Sequence, residues 1–197
     1  MASKVLSLVF ATNNLHKLKE VQHALGNRVA LVTLNDVGIT EDIPEDYDTL
    51  QENAIQKARY VYSRTGKNCF ADDTGLEVEV LNWQPGVYSA RYAGDAKNPK
   101  DNIRKLLSNL KGVENRKARF RTVVALILNG EEYLFEGVVW GKIIDQERGA
   151  DGFGYDPIFV PNGFTETFAE MPLLLKNKIS HRGKAVEELC KFLKGKV

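Results

Sequence analysis

The apolar positions change period several times along the chain, and each change predicts an element. Val5 to Thr12 is a short run of apolar and β-forming residues; Leu15, Leu18, Val21, Gln22 and Leu25 then recur at three- and four-residue steps, with Gly26 placed to close the turn. That pattern predicts a strand, a loop and a helix. Val29–Leu34 predicts a second strand, and Thr49-Leu50-Gln51-Glu52 has the spacing of a capping box, opening a helix through Ala54, Ala58 and Val61 to about Arg64. Asn68–Asp72 is a buried-strand candidate ending in two adjacent aspartates, and Glu77–Leu81 is a short β-like segment. A long loop from Asn82 to Pro99 follows, then a helix over Asp101–Leu110. Asn129-Gly130, between Arg119–Leu128 and Glu132–Ile144, predicts a hairpin. Asp145–Asp156 is a glycine-rich loop, Pro157–Val160 a strand, and Gly183 to Leu193 the closing helix. Helices that alternate with strands and are then interrupted by a hairpin indicate an α/β fold with a mixed sheet. No repeat or linker divides the sequence, so residues 1–197 are treated as one domain.

Composition narrows the functional classes. A hydrophobic share of 43% and a charged share of 27% suit a globular protein, and a formal net charge of +1 supplies no global field toward nucleic acid or an acidic membrane. Phosphate recognition would have to come from local geometry. The longest apolar runs, Val5–Thr12 and Val123–Leu128, fall far short of the ~20 residues of a membrane span, and the N-terminal pattern is not that of a signal peptide. Cys69 and Cys190 have no CxxC partner, and the histidines lack metal-ligand spacing, which argues against a disulfide framework and a zinc hydrolase. A cytoplasmic location is the expectation.

Five segments carry candidate chemistry, each with an ordinary structural role beside it. Thr12-Asn13-Asn14-Leu15-His16-Lys17 joins the first strand to the first helix, where unpaired helix N–H groups attract anions. The same residues also suit a plain helix cap with a solvated lysine. Asp72-Asp73-Thr74-Gly75 offers carboxylates for a divalent cation and a general base, or a tight turn. The acidic stretch Glu41–Asp48 reads mostly as a solvated loop, and the helix after it places Lys57 beyond its first turn. Gly152-Phe153-Gly154-Tyr155-Asp156 offers a stacking surface and an acceptor for a base, or an aromatic plug for the core. Lys176 and Ser180-His181-Arg182 suit a phosphate or a planar acceptor, or an exposed basic turn before the last helix.

In order and spacing, these segments resemble the inosine triphosphate pyrophosphatase family, together with Glu52-Asn53-Ala54-Ile55-Gln56-Lys57-Ala58, Pro85-Gly86-Val87-Tyr88-Ser89-Ala90-Arg91-Tyr92 and Thr167-Phe168-Ala169-Glu170. The resemblance spans nearly the whole chain. It implies a long central mixed sheet flanked by helices, in two lobes with the active cleft between them, working as a Mg²⁺-dependent homodimer on non-standard purine nucleoside triphosphates. On the matching positions it implies that Thr12, Asn14 and Lys17 hold the triphosphate with Lys57 near, in a substrate-binding segment that also includes Asn13, Leu15 and His16, and that Asp73 is general base and, with Glu45, metal ligand. It further implies that Thr74 touches substrate, that Phe153 stacks on the base beside Gly154, Tyr155 and Asp156, and that Lys176, His181 and Arg182 complete the pocket, the last two at the 6-oxo edge. Asn13 stands where the family often has glycine, Thr74 where serine is commoner, and Leu173-Leu174-Leu175 where acidic or polar residues are usual. Two other readings are a septum-formation-inhibitor-like pyrophosphatase and a nucleotide-binding module without catalysis. The Ser-His-Arg turn and the Phe-Gly-Tyr-Asp loop argue against the first, and Asp72-Asp73 with Glu45 against the second.

Overall fold

The computed structural model describes residues 6–195. Val5, assigned to the first strand by the sequence, lies outside them. The chain runs β1 (Leu6–Phe10), α1 (Leu15–Leu25), β2 (Val29–Val32), α2 (Leu50–Thr65), β3 (Cys69–Val78), α3 (Pro99–Asn109), β4 (Lys117–Leu128), β5 (Glu131–Ile143), β6 (Phe159–Pro161), α4 (Leu173–Ile179) and α5 (His181–Lys194). One six-stranded sheet has the order β2-β1-β3-β4-β5-β6. It is mixed: β1 pairs in parallel with β2 and with β3, and β5 pairs antiparallel with β6. Helix α1 links β1 to its parallel neighbour β2, and α2 carries the chain from β2 to β3 on the other side of β1, since parallel strands need a crossover long enough for a helix. Between β4 and β5 the hairpin turns at Asn129 and Gly130, both at positive φ (53° and 87°), as a two-residue loop of that composition requires.

The described residues divide into two compact units: residues 6–73, 122–137 and 182–195 form unit 1, and residues 74–121 and 138–181 form unit 2. Unit 1 has its own apolar core, in which Phe10 and Phe70 stack with centroids 4.5 Å apart, packed with Val21 and Leu25 of α1 and Ala185, Val186 and Leu189 of α5. The core of unit 2 joins Leu76 and Val78, Ile103 and Leu106 of α3, and the aromatics Phe120, Phe159 and Phe168. No helix among the described residues is long and apolar enough to cross a membrane.

Two segments depart from the sequence expectation. Asn68–Asp72 and Glu77–Leu81 are predicted as separate pieces, whereas β3 runs unbroken through Asp72-Asp73-Thr74-Gly75 to Val78, and Glu79–Leu81 is a 3-10 turn. The tight-turn reading of the aspartates is thereby excluded. Helix α4 is not predicted at all, because three consecutive leucines have no helical period. Its leucines are exposed (43%, 62% and 36% for Leu173, Leu174 and Leu175), so they do not pack into the core of this chain.

Candidate active site

Successive side chains of a strand point to opposite faces, and at Asp72 and Asp73 of β3 that alternation gives two neighbouring carboxylates different surroundings. Asp72 is clamped by cations. Lys17 Nζ donates to its Oδ1 at 3.0 Å, and Arg182 Nε to its Oδ2 at 3.1 Å. Arg182 also donates from Nη1 to Glu20 of α1. The Arg182 and Asp72 side chains are 2% and 1% exposed. Burial works against the Asp72 charge, but Lys17 and Arg182 outweigh it and hold the carboxyl well below the usual range. Asp72 is therefore a fixed anion that organises cations.

Asp73 is different in kind. Its Oδ1 accepts from Lys57 Nζ at 3.2 Å, and the same ammonium donates to Glu45 Oε1 at 2.5 Å. Its Oδ2 is buried and has no hydrogen-bond partner among the described residues. Burial raises the Asp73 pKa above the ordinary carboxylate value; Lys57 opposes the rise and Glu45 adds to it. A buried acceptor without a partner carries a desolvation cost, and native proteins keep such atoms mainly where a ligand, water or ion completes them. Burial lowers the Lys57 pKa by itself, but Asp73 and Glu45 together bring it above its usual value. Lys17 goes the other way: burial lowers its pKa, Asp72 offsets this only in part, and Lys57 and Arg182 push it further down. Three cations (Lys17, Lys57 and Arg182) and four carboxylates (Glu20, Glu45, Asp72 and Asp73) thus share one corner of unit 1, and an added anion would find donors already in place.

The loop before α1 confirms part of the plain capping role. Asn14 Oδ1 accepts from the N–H groups of His16 and Lys17 at 3.0 and 3.2 Å, and Thr12 Oγ1 accepts from the Asn14 N–H at 3.2 Å. Asn13, Leu15 and His16 are exposed. Lys17 is not the solvated lysine of that reading, because its ammonium is turned onto Asp72.

Unit 2 has a cluster of candidate residues of its own. Asp156 Oδ2 accepts from the Phe153 N–H and from Lys176 Nζ, each at 2.8 Å, and the Asp156 and Lys176 side chains are both 4% exposed. The ammonium of Lys176 also lies 5.1 Å from the centre of the half-buried Phe153 ring, within cation–π range. Gly152 makes this tight loop possible: its φ is +79°, and a Cβ there would stand 2.4 Å from Asp156 Oδ2. Tyr155, paired with Phe153 by the sequence, instead belongs to the core, its hydroxyl donating to the Ser89 carbonyl at 2.8 Å. His181 is buried and stacked on Phe120 with centroids 4.6 Å apart. An exposed basic turn at Lys176 and Ser180-His181-Arg182 is excluded, since all four are buried. Thr74 and Gly154 are half-buried members of the same unit.

The sequence reading passes over Glu20, 5% exposed and bound to Arg182. A signal for it exists, because Lys17, Glu20, Val21 and Ala24 share one helix face and a glutamate in that apolar stripe calls for a buried cation.

Comparison with known proteins places these features in a family. The profile of the Ham1 family matches residues 8–192. A dITP/XTP pyrophosphatase from Porphyromonas gingivalis is 55% identical over 187 residues, covering 94% of this chain and 96% of its own. One from Flavobacterium johnsoniae is 52% identical over 188 residues, covering 95% and 98%. Among solved structures, the Ham1 protein of Staphylococcus aureus superposes with a TM-score of 0.88 at 37% identity, covering 97% of this chain and all (100%) of its own.

Proposed function

This chain belongs to the Ham1 family, and on that premise we propose that it is a nucleoside triphosphate pyrophosphatase acting on non-standard purine nucleotides. It hydrolyses ITP, dITP and XTP to the nucleoside monophosphate and pyrophosphate. The observation that supports the chemistry best is the contrast at the strand pair: Asp72 neutralised by Lys17 and Arg182, and Asp73 beside it with a raised pKa and an unpartnered buried oxygen.

A carboxylate raised in pKa by burial is a better proton acceptor than one in water, and Asp73 takes the role of general base toward a water molecule. Lys17 and Lys57 bind the phosphates and receive the charge that develops on the departing pyrophosphate, with the N–H groups of the Thr12–Lys17 segment as further donors. Glu45 and Asp73 are an all-oxygen pair, and no group of three or more His, Cys, Asp or Glu side chains suited to a metal is gathered among the described residues. That donor set fits Mg²⁺, which is commonly held by one or two carboxylates and completed by substrate phosphates. When bound, Mg²⁺ supplies charge neutralisation on the phosphate oxygens.

For the base, Phe153 stacks, with Asp156 and Lys176 holding its loop, and His181 and Arg182 serve the 6-oxo edge. Hypoxanthine and xanthine present an acceptor there where adenine presents an amino donor. A guanidinium tied to Asp72 and Glu20 cannot turn away from a mismatched donor, and such a polar mismatch discriminates far better than size. In the same reading residues 1–197 act as one catalytic domain, in a homodimer in the cytoplasm.

Pyrophosphate release from ITP, XTP, dITP, ATP and GTP, with Mg²⁺ and after its removal by chelation, tests this reading. Turnover of ITP and XTP well above ATP, lost on chelation, is expected; no preference over ATP would sink it. Replacing Phe153 with alanine is expected to raise KM for ITP roughly tenfold, in line with about 1–3 kcal/mol for stacking one base, and to leave kcat within a few-fold. A KM equal to that of the parent enzyme would remove Phe153 from the base site.

A further inference from the structure

Glu45 sits in an irregular stretch, 42–46, outside every strand and helix. Such a segment has no ladder to satisfy its backbone groups, so its position must be set by side chains. Those side chains come from one face of α2. Asn53 Oδ1 accepts from the Tyr47 N–H at 2.9 Å while its Nδ2 donates to the Tyr47 carbonyl at 3.0 Å. Gln56 Oε1 accepts from the Asp46 N–H at 3.0 Å while its Nε2 donates to Asp46 Oδ2 at 2.5 Å. Lys57 holds Glu45 itself, and the Tyr60 hydroxyl donates to Glu41 at 2.7 Å. Residues 53, 56, 57 and 60 stand at i, i+3, i+4 and i+7, which is one face of a helix, and they meet 47, 46, 45 and 41 in reverse order. The loop is laid antiparallel along the helix, one partner at a time.

Two features set Asn53 apart from an ordinary surface contact. It is 1% exposed, lying in the buried stripe of α2 between Leu50 and Ala54 where an apolar residue would otherwise pack. Only a carboxamide offers a donor and an acceptor side by side, so Asn53 can close both backbone groups of Tyr47 at once in the manner of a strand partner. Neither an aspartate nor an aliphatic residue can do so.

We propose that Asn53, with Gln56 behind it, is a positioning residue that holds Glu45 at the metal site and thereby sets the affinity for the divalent cation. The inference rests on the reading of Glu45 as a metal ligand. Groups that orient a ligand commonly govern metal affinity by about 10–100-fold, and here the orienting group acts through the backbone two residues away.

The test is a titration of the full-length protein with Mn²⁺, followed by electron paramagnetic resonance without nucleotide, together with the Mg²⁺ concentration giving half-maximal ITP turnover. Asn53→Leu is expected to weaken Mn²⁺ binding and raise the Mg²⁺ requirement about tenfold or more, with kcat at saturating Mg²⁺ close to that of the parent. Gln56→Met, at a half-buried position, is expected to give a smaller change in the same direction and carries the test if Asn53→Leu does not fold. In a Glu45→Gln background neither substitution should weaken the metal further. If Glu45→Gln weakens Mn²⁺ binding and the foldable clamp variants do not, the proposal is overturned while the metal reading stands. If Glu45→Gln itself leaves Mn²⁺ binding unchanged, the metal reading falls, and this inference with it.

Discussion

Asp73→Asn is expected to lower pyrophosphate release from ITP by about a thousandfold, within the ~10²–10⁴ that a positioned general base contributes, while ITP binding survives. Asparagine has nearly the shape of aspartate and can still accept from Lys57 through its carbonyl oxygen, so the packing around β3 is retained. Burial already disfavours the charge at this position, so its removal does not unfold the protein. What is lost is the capacity to accept a proton at the buried Oδ2 and a share of the negative charge facing a cation. Single-turnover pyrophosphate release and equilibrium binding of ITP, measured on the same preparation, separate the two effects. Unimpaired turnover would take Asp73 out of its role.

The prominence of Asp73 over Asp72 is a product of folding that local sequence does not display. Read locally, Asp-Asp-Thr-Gly has the composition of a turn, and the expected strand stops at Asp72. It continues because tertiary partners satisfy what a strand interior normally rejects: Lys17 and Arg182 come to Asp72, Lys57 comes to Asp73, and the Leu76 N–H finds Ser89 Oγ at 2.9 Å. Each partner is distant in sequence. By contrast, α1, α2, α3 and the β4–β5 hairpin are legible because their signals are local: Asn14 caps α1, Thr49 accepts from the Glu52 N–H at 3.2 Å and donates to its carboxylate at 2.7 Å, and Asn129-Gly130 turns the hairpin.

The same division holds at the site. Motif order brings Lys17, Lys57, Asp73, Phe153, Asp156, Lys176, His181 and Arg182 into view, but not which of them touch. Nothing around Asp156 announces that its carboxylate serves both the Phe153 N–H and Lys176, or that Tyr155 turns into the core. Asn53 and Lys57 carried a readable sign: both fall on the stripe of α2 that also holds Leu50, Ala54, Ala58 and Val61. A polar residue at a core position needs a buried partner, and these two have theirs in the Glu45 loop.

The second large effect is expected at Arg182. Methionine keeps much of its volume and removes its charge, so Glu20 and Asp72 both lose a cation while staying buried. Breaking one side of a buried ion network typically costs about 3–5 kcal/mol, which a urea unfolding midpoint reads directly. Lys17 still neutralises Asp72, so most of the loss comes from Glu20, which is 5% exposed. Adding Glu20→Leu to Arg182→Met should therefore recover a large part of the stability, because a buried ion pair replaced by apolar groups is often neutral or better. Activity should not recover with it. In the folded double variant the base edge has lost its fixed donor, and the kcat/KM preference for ITP over ATP is expected to fall about tenfold or more. A stable single variant would refute the network, and a double variant with full ITP selectivity would refute the base-reading role, so the two functions assigned to one guanidinium can fail separately.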